Sequence, residues 1–481
     1  MVLQCVRYKF LNTHLIKMNI IVIGSGLAGS LLCNQLVGHA NVTLLEIGRK
    51  NFIEYPMIRY DRKRLAEVAT FCSGGGGTTN LWHNGLIPLS HEDILDPEFA
   101  EVVADARPYT DAAAAALFFT REPYSRAYAK LVSEISGIAD RAGIISNGMD
   151  CLVYPKRYHK LEVDSRVNAF YSVTKTGFFV KDRLIKTVTF HVGGREYTLD
   201  ADVVIVAAGA LGSPRVLQEI LRTSGNPTSG LGTGFIDHPM GFVGKVRFNR
   251  EKAGLIRQLS VYDKGDYVSR NAIRLKSDCG RYTCCAFFRP AMTMDNRLAI
   301  YKYKSLLGAS SGLARLRNAF SWKLFHPDIL AEIVSHLLGL AIPSRIFNIL
   351  FIAEQKRGTN RVYYEKDELR VDWSISSGEL AIYRRLLEKL SEILAKVAEE
   401  VNLVTDLDDD WLWSAAHHSC TVGLGSGKED LVDRDLKLKC LDNVFVCDGS
   451  IIQEHSYANT GLAIGQLAFR LARRVLDVHA N

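Results

Sequence analysis

Two segments at opposite ends of the chain carry residue types that could do chemistry together. Near the start, Gly24-Ser25-Gly26-Leu27-Ala28-Gly29 follows the apolar run 20–23, and Glu46 stands 22 positions after Gly24. Glycines at this spacing let the chain turn tightly, bring backbone N–H groups close to a pyrophosphate and pack the next helix on its strand. A carboxylate about 20 residues on suits the ribose hydroxyls. A lone G-x-G-x-x-G also serves plain packing turns; the combination with strand, helix and Glu46 points to a dinucleotide, and the acid favours FAD or NAD over NADP. Near the end, His417-His418 precedes Asp448-Gly449-Ser450 and Asn459-Thr460. A histidine with its ordinary pKa of ~6.5 takes up a proton at neutral pH, and an asparagine amide donates through its NH₂.

Competing chemistries fit less well. His417, His418 and Cys420 lack a second cluster to complete a tetrahedral metal set, so no metal is expected. The acidic run 406–410 mimics the start of a calcium loop, but Trp411 occupies the glycine position and His417 the twelfth. No phosphate loop of the G-x-x-x-x-G-K-[ST] type occurs, and the segment 425–429 lacks a preceding strand.

The elements that must position these groups follow from periodicity. Runs 20–23 and 42–45 read as strands around a helix over 27–37, whose N-terminal N–H groups and dipole face the phosphates. Glycines 74–77 let main chain approach something flat and bulky. An alanine-rich helix begins near Asp111, strands 177–180 and 184–192 follow, and 201–206 reads as a buried parallel strand leading to a helix with Pro214 in its first turn. From 241 to about 410 the texture changes to amphipathic strands (245–248, 267–275), a doublet of apolar helices (329–340, 346–352) within an aromatic stretch 320–351, and a long helix opened by the capping box Ser376…Glu379. The expected fold class is α/β: a Rossmann-like dinucleotide-binding domain in two pieces, 18–240 and 411–481, around a substrate domain, 241–410, built on an antiparallel sheet plus helices. Residues 1–17 are basic, lack a continuous apolar core, and read as a start-site extension or a targeting peptide, outside the fold in either case.

Composition narrows the class further. With 481 residues, 47% hydrophobic and 23% charged, the chain buries a large core, and a net charge of +7 without a block of like charges gives no nucleic-acid arm. Ten cysteines form no C-x-x-C, which fits free thiols in a reducing, cytoplasmic setting.

The sequence resembles the glucose-methanol-choline (GMC) oxidoreductases, FAD-dependent enzymes that oxidise alcohols. The match runs over roughly 18–478, strong at 24–29, 76–82, 207–215, Asp237-His238-Pro239 and 417–472, and weak over 241–400. The resemblance implies a catalytic histidine at His417 and a second catalytic position at Asn459, eleven residues after Asp448. It also implies FAD contacts at Gly24, Ser25, Gly26, Leu27, Ala28, Gly29, Glu46, Gly76, Gly77, Thr78, Asn80, Val180, Ala208, Gly209, Asp448, Gly449, Asn459 and Thr460, with Asp448 on a ribitol hydroxyl. Two departures stand out. Cys420 replaces the glycine of H-x-x-G-T, which opens the option of a distorted, non-catalytic flavin module. Leu81 stands where covalent members carry a histidine, so FAD should be non-covalent unless Cys72 or His83 attaches it.

Oxidising an alcohol requires loss of the hydroxyl proton as hydride leaves the carbon, which suits His417 as base and Asn459 as donor to the alkoxide, with the asparagine carbonyl held by a donor of the protein. The expected partners are a small-molecule alcohol, a sugar or polyol first and a lipid or sterol alcohol second, and an electron acceptor: oxygen, quinone or a protein. No nucleic-acid partner is expected. Membrane association is the less favoured option, motivated by the apolar doublet.

Overall fold

The computed structural model describes residues 18–56, 58–62, 70–82, 84–144, 148–295, 326–338 and 342–478. Strand Asn19–Ile23 is almost wholly buried and pairs in parallel with Asn41–Leu45 on one side and Val203–Val206 on the other. Val444–Val446 extends the sheet beyond Val203–Val206, and Asn168–Phe170 closes the opposite edge. Continuous β-branched runs suit strands covered on both faces. Gly24 turns the chain at φ +106°, where an added Cβ would lie 2.5 Å from the Ala207 carbonyl oxygen. At Gly29 a Cβ would meet the Gly24 oxygen at 1.9 Å, so helix Leu27–Leu36 reaches its strand only without a side chain there. The C-terminal helix Gly461–Val478 packs on Leu27–Leu36 and on Thr110–Leu117, so both ends of the described chain meet in one layer.

One helix starts earlier than the sequence implies. It runs Gly209–Thr223, which places Pro214 inside rather than in the first turn. Proline has no N–H to give to the carbonyl four residues back. The Ala210 carbonyl instead accepts from the Thr421 hydroxyl at 2.7 Å, tying this helix to the C-terminal segment.

The second layer is an eight-stranded sheet. Its main path runs Tyr262–Asp263, Tyr267–Lys276, Thr283–Ala291, Ile346–Ala353, Pro239–Arg247 and Glu400–Leu403; Met149–Pro155 pairs with Tyr267–Lys276 and Trp413–Ser414 with Pro239–Arg247. Met149–Pro155 is thus drawn from ahead of residue 240 into the sheet built mainly from residues after 240. The apolar run 346–352, expected as a helix, is a central strand, hydrogen-bonded on both edges. Short apolar runs do not separate strand from buried helix by periodicity; its aromatic and β-branched residues mark the strand. The other half of the doublet is the helix Pro327–Leu338, while 296–325 and 339–341 lie outside the described residues. Helix Ser377–Ala395 opens on the expected capping box: Ser376 Oγ accepts from Glu379 N at 3.2 Å and the Glu379 carboxylate from Ser376 N at 2.9 Å.

Candidate active site

A cavity of about 1780 Å³ runs from the first strand-helix turn to the eight-stranded sheet. Small-ligand sites usually measure about 300–1,000 Å³, so this one has room for a dinucleotide and a second molecule. Of the expected cofactor residues, Gly24 to Ala28, Glu46, Gly77, Thr78, Ala208, Gly209, Asp448, Gly449, Asn459 and Thr460 line it, and so do His417 and His418. Gly29 lies beneath, as packing for the turn. Gly76 and Asn80 are not on the wall; the Asn80 amide donates to the Gly75 and Gly77 carbonyls and shapes the loop from behind. Val180 is also away from the wall, because the start of its strand, Val173–Thr176, faces the cavity instead.

The nucleotide end is built from backbone. Gly26 has nothing within 4 Å of an added Cβ, and a Cβ added at Gly77 would lie 3.1 Å from the Gly26 Cα, so two glycine loops form one cradle. The open space over Gly26 is the volume that a pyrophosphate requires, with the N-terminus of Leu27–Leu36 directed at it. Glu46 is 5% exposed, and its carboxylate is engaged by the protein itself. Its Oε2 accepts from the amide and hydroxyl of Ser25 at 2.8 and 2.7 Å, and its Oε1 from Gly48 and Gly74 amides at 2.8 and 3.1 Å. The carboxylate therefore pins both loops. Asp448 does the same further along, accepting from Gly209 N at 2.8 Å, Ser213 Oγ at 2.5 Å and Ser450 N at 2.7 Å, with burial pushing its carboxyl upward.

The chemical end is built from side chains. Asp237 Oδ1 accepts from the backbone amides of His238 at 2.7 Å and His417 at 2.9 Å, and its Oδ2 takes the Ser414 hydroxyl. His238 Nε2 lies 2.8 Å from the Ser456 carbonyl oxygen and its Nδ1 lies 2.8 Å from His417 Nδ1. Burial holds His238 down to about 4, so the ring is neutral at physiological pH. A carbonyl can only accept; the His238 proton is therefore on Nε2 and its Nδ1 is the acceptor. His417 must donate from Nδ1, which leaves the lone pair on His417 Nε2. His455 stacks on His238 at 3.8 Å between centroids and is also pushed low by burial. His418 is buried, held low by desolvation, and 3.7 Å from Asp237 Oδ2, too far for a hydrogen bond.

Asn459 differs from expectation in its hydrogen bonding. Its Nδ2 donates to the Gly85 carbonyl at 2.9 Å, and its Oδ1 is buried without a partner. The nearby Gly85 carbonyl anchors one N–H, so the amide oxygen, expected to be bonded to the protein, is the unsatisfied group on the cavity wall. Cys420 sits at φ +61° with its thiol pushed up to about 12, on Gln453. It adopts the left-handed conformation that glycine takes most readily. The cysteine therefore keeps the turn.

Residues 357–468, which hold His417, Asp448 and Asn459, match the family model described as GMC oxidoreductase. That segment carries a likeness to the GMC oxidoreductases. The whole fold is similar to the crystal structure of pyridoxine 4-oxidase from Mesorbium loti, with TM-score 0.59, 15% identity and coverage of 95% of this chain and 99% of that one. It is also similar to a formate oxidase of Aspergillus oryzae RIB40 (TM-score 0.57, 13% identity, 96% and 99% covered). An FAD-dependent oxidoreductase from Chaetomium thermophilum gives TM-score 0.57 at 14% identity with 96% and 99% covered. At such identities these likenesses speak for the fold alone. No curated protein matches the sequence. The glycine cradle fits a dinucleotide such as FAD.

Sequence reasoning gave no role to His238, Asp237, Ser414 or His455. The Asp237-His238-Pro239 run was the available signal, but its function depends on being brought against His417, 179 residues away.

Proposed function

We propose that this chain is a GMC-type, FAD-dependent oxidoreductase that oxidises the CH–OH group of a small sugar or polyol, and that the hydrogen-bond chain Ser456–His238–His417 carries the reading. That chain fixes the His417 tautomer with Nε2 as proton acceptor. Bound FAD supplies the hydride acceptor. His417 Nε2 takes the hydroxyl proton, the second N–H of Asn459 Nδ2, whose first is held by the Gly85 carbonyl, donates to the same oxygen, and the product is a carbonyl. The electron pair then passes to an external acceptor, oxygen, quinone or protein. Trp82, Phe242, Phe287 and Tyr457 on the wall offer flat faces to the C–H side of a sugar ring. Non-covalent attachment is supported by Leu81 on the wall and by Cys72, whose buried thiol is pushed up to about 12 and donates to the Gly77 carbonyl at 3.0 Å. His83 lies outside the described residues.

The lipid reading loses half of its motive, because Phe347 is fully buried in a central strand. No helix among the described residues is long and apolar enough to cross a membrane. Anaerobic bleaching of the flavin with a panel of sugars, polyols and long-chain alcohols tests the reading. A sugar or polyol should bleach it, and His417→Ala should retain FAD while slowing reduction by roughly 10²- to 10⁴-fold. Reduction of that variant at the parent rate would remove His417 from its role.

A further inference from the structure

Ser456 supplies the carbonyl that fixes the His238 proton on Nε2, and its own backbone is unusual. It is the second residue of a turn closed by the Ala458 amide on the His455 carbonyl at 3.0 Å, and it stands at φ +51°. Positive φ at that place makes this one of the primed β-turns, mirror images of the common types, whose first central residue is mostly Gly, Asn or Asp. A residue with a Cβ is disfavoured there. The carbonyl that meets His238 belongs to the central peptide of this turn, so the turn type sets where it points.

The hydroxyl holds the serine in place. Ser456 is 2% exposed, and its Oγ donates to Asp93 Oδ2 at 3.0 Å and lies 2.8 Å from Thr283 Oγ1. These anchors stand 363 and 173 residues away in sequence. Each is itself fixed from behind. Asp93 Oδ1 accepts from Arg274 Nη2 at 2.6 Å, and Glu354 Oε2 lies 3.0 Å from the Thr283 amide and 3.1 Å from its hydroxyl. A turn as such asks only for backbone. A buried hydroxyl tied to two distant elements holds that turn in one position and one hand, at the place where the histidine chain ends.

Resting on the alcohol-oxidation reading, we infer that Ser456 is a positioning residue: its hydroxyl, tied to Asp93 and Thr283, keeps the primed turn, and the turn aims the Ser456 carbonyl at His238 so that His417 presents its base nitrogen to the carbinol. With the carbonyl turned away, the reversed pair of neutral rings becomes available. The His238 proton then sits on Nδ1 and is donated to His417 Nδ1, and the His417 proton sits on Nε2, where the base lone pair was.

The holoenzyme and its variants test this, with an alcohol that bleaches the parent flavin. Ser456→Ala loses the hydroxyl and disfavours the turn. It should hold FAD and lower kcat roughly 10- to 100-fold with KM changed less than about 2-fold, short of the ~10⁴ lost when the group that orients a catalytic histidine is replaced. Ser456→Gly also lacks the hydroxyl but takes positive φ readily, and should leave a deficit of only about 3-fold. Thr283→Val removes one anchor at nearly constant shape; it should cost about 3- to 10-fold and serves where Ser456→Ala does not hold FAD. Heteronuclear NMR of histidine-labelled holoenzyme reads the tautomers, with His238→Asn and His417→Ala identifying the two rings. The parent should carry its protons on His238 Nε2 and His417 Nδ1, and Ser456→Ala should show a reversed fraction. Equal losses in Ser456→Ala and Ser456→Gly with parent tautomers are the pattern of a merely structural residue and overturn the inference. The parent rate in Ser456→Ala overturns it too, and leaves alcohol oxidation standing. Reversed tautomers in Ser456→Ala, in a protein whose flavin no alcohol bleaches, uphold the positioning of His238 and overturn alcohol oxidation.

Discussion

The two ends of the cavity are built from different materials. At the nucleotide end the surface is main chain: Gly26, Gly77 and Gly209 lie open to the cavity or against each other, and Glu46 and Asp448 hold the loops by their amides. At the sheet end it is side chain, projected alternately from strands that are far apart in sequence. The difference sets how each end responds to change. A backbone cradle fails when any Cβ enters it, whereas the sheet wall fails when its register or core support is lost, since a slip of one residue would exchange its two faces.

The largest effect expected is at the cradle. Gly26→Val places a branched side chain in the open space over the turn, so the purified variant should contain no FAD while retaining its fold by circular dichroism. A yellow variant with full flavin content would show that the cradle is not built as described. At the sheet, Phe347 is fully buried between Phe248 and Phe288, whose centroids lie 6.0 and 6.1 Å away. Phe347→Ala should lower unfolding stability by about 3–5 kcal/mol in urea titration. A loss under 1 kcal/mol would mean that the strand is not central, and would revive the reading of this run as a surface helix.

The smallest effect lies between the two ends, in the histidine cluster. An unfolded histidine takes up its proton near pH 6.5, whereas His238 in the fold does so only at about 4. Between those values the unfolded chain binds more protons, so stability is full above pH 6.5 and falls as pH drops through the window, by up to ~3 kcal/mol for this one residue. His418 and His455 are displaced in the same direction. Urea titrations from pH 7 to 4 should show that decline, and His238→Asn should make it shallower. An unchanged slope in the variant would count against a neutral His238, and with it against the His417 tautomer.

The glycine spacing, Glu46, the capping box at Ser376 and the Asp448–Thr460 segment were legible in the sequence because each acts through neighbours a few residues away, where spacing alone specifies geometry. The same locality explains why Cys420 read as a possible defect: its left-handed backbone is invisible until the turn is seen. The run 346–352 misread as a helix, since its short apolar pattern fits both structures and only the strands on either side decide between them.

By itself, then, the sequence determined a dinucleotide turn, a GMC-like C-terminal segment and the likeness of His417 and Asn459 to a catalytic pair. Tertiary structure alone decided which nitrogen of His417 carries the lone pair, because that depends on His238 and the Ser456 carbonyl meeting it from distant strands and loops. It alone also set Arg289 opposite Asn348, because strand register is set by long-range pairing and leaves no local pattern in the chain.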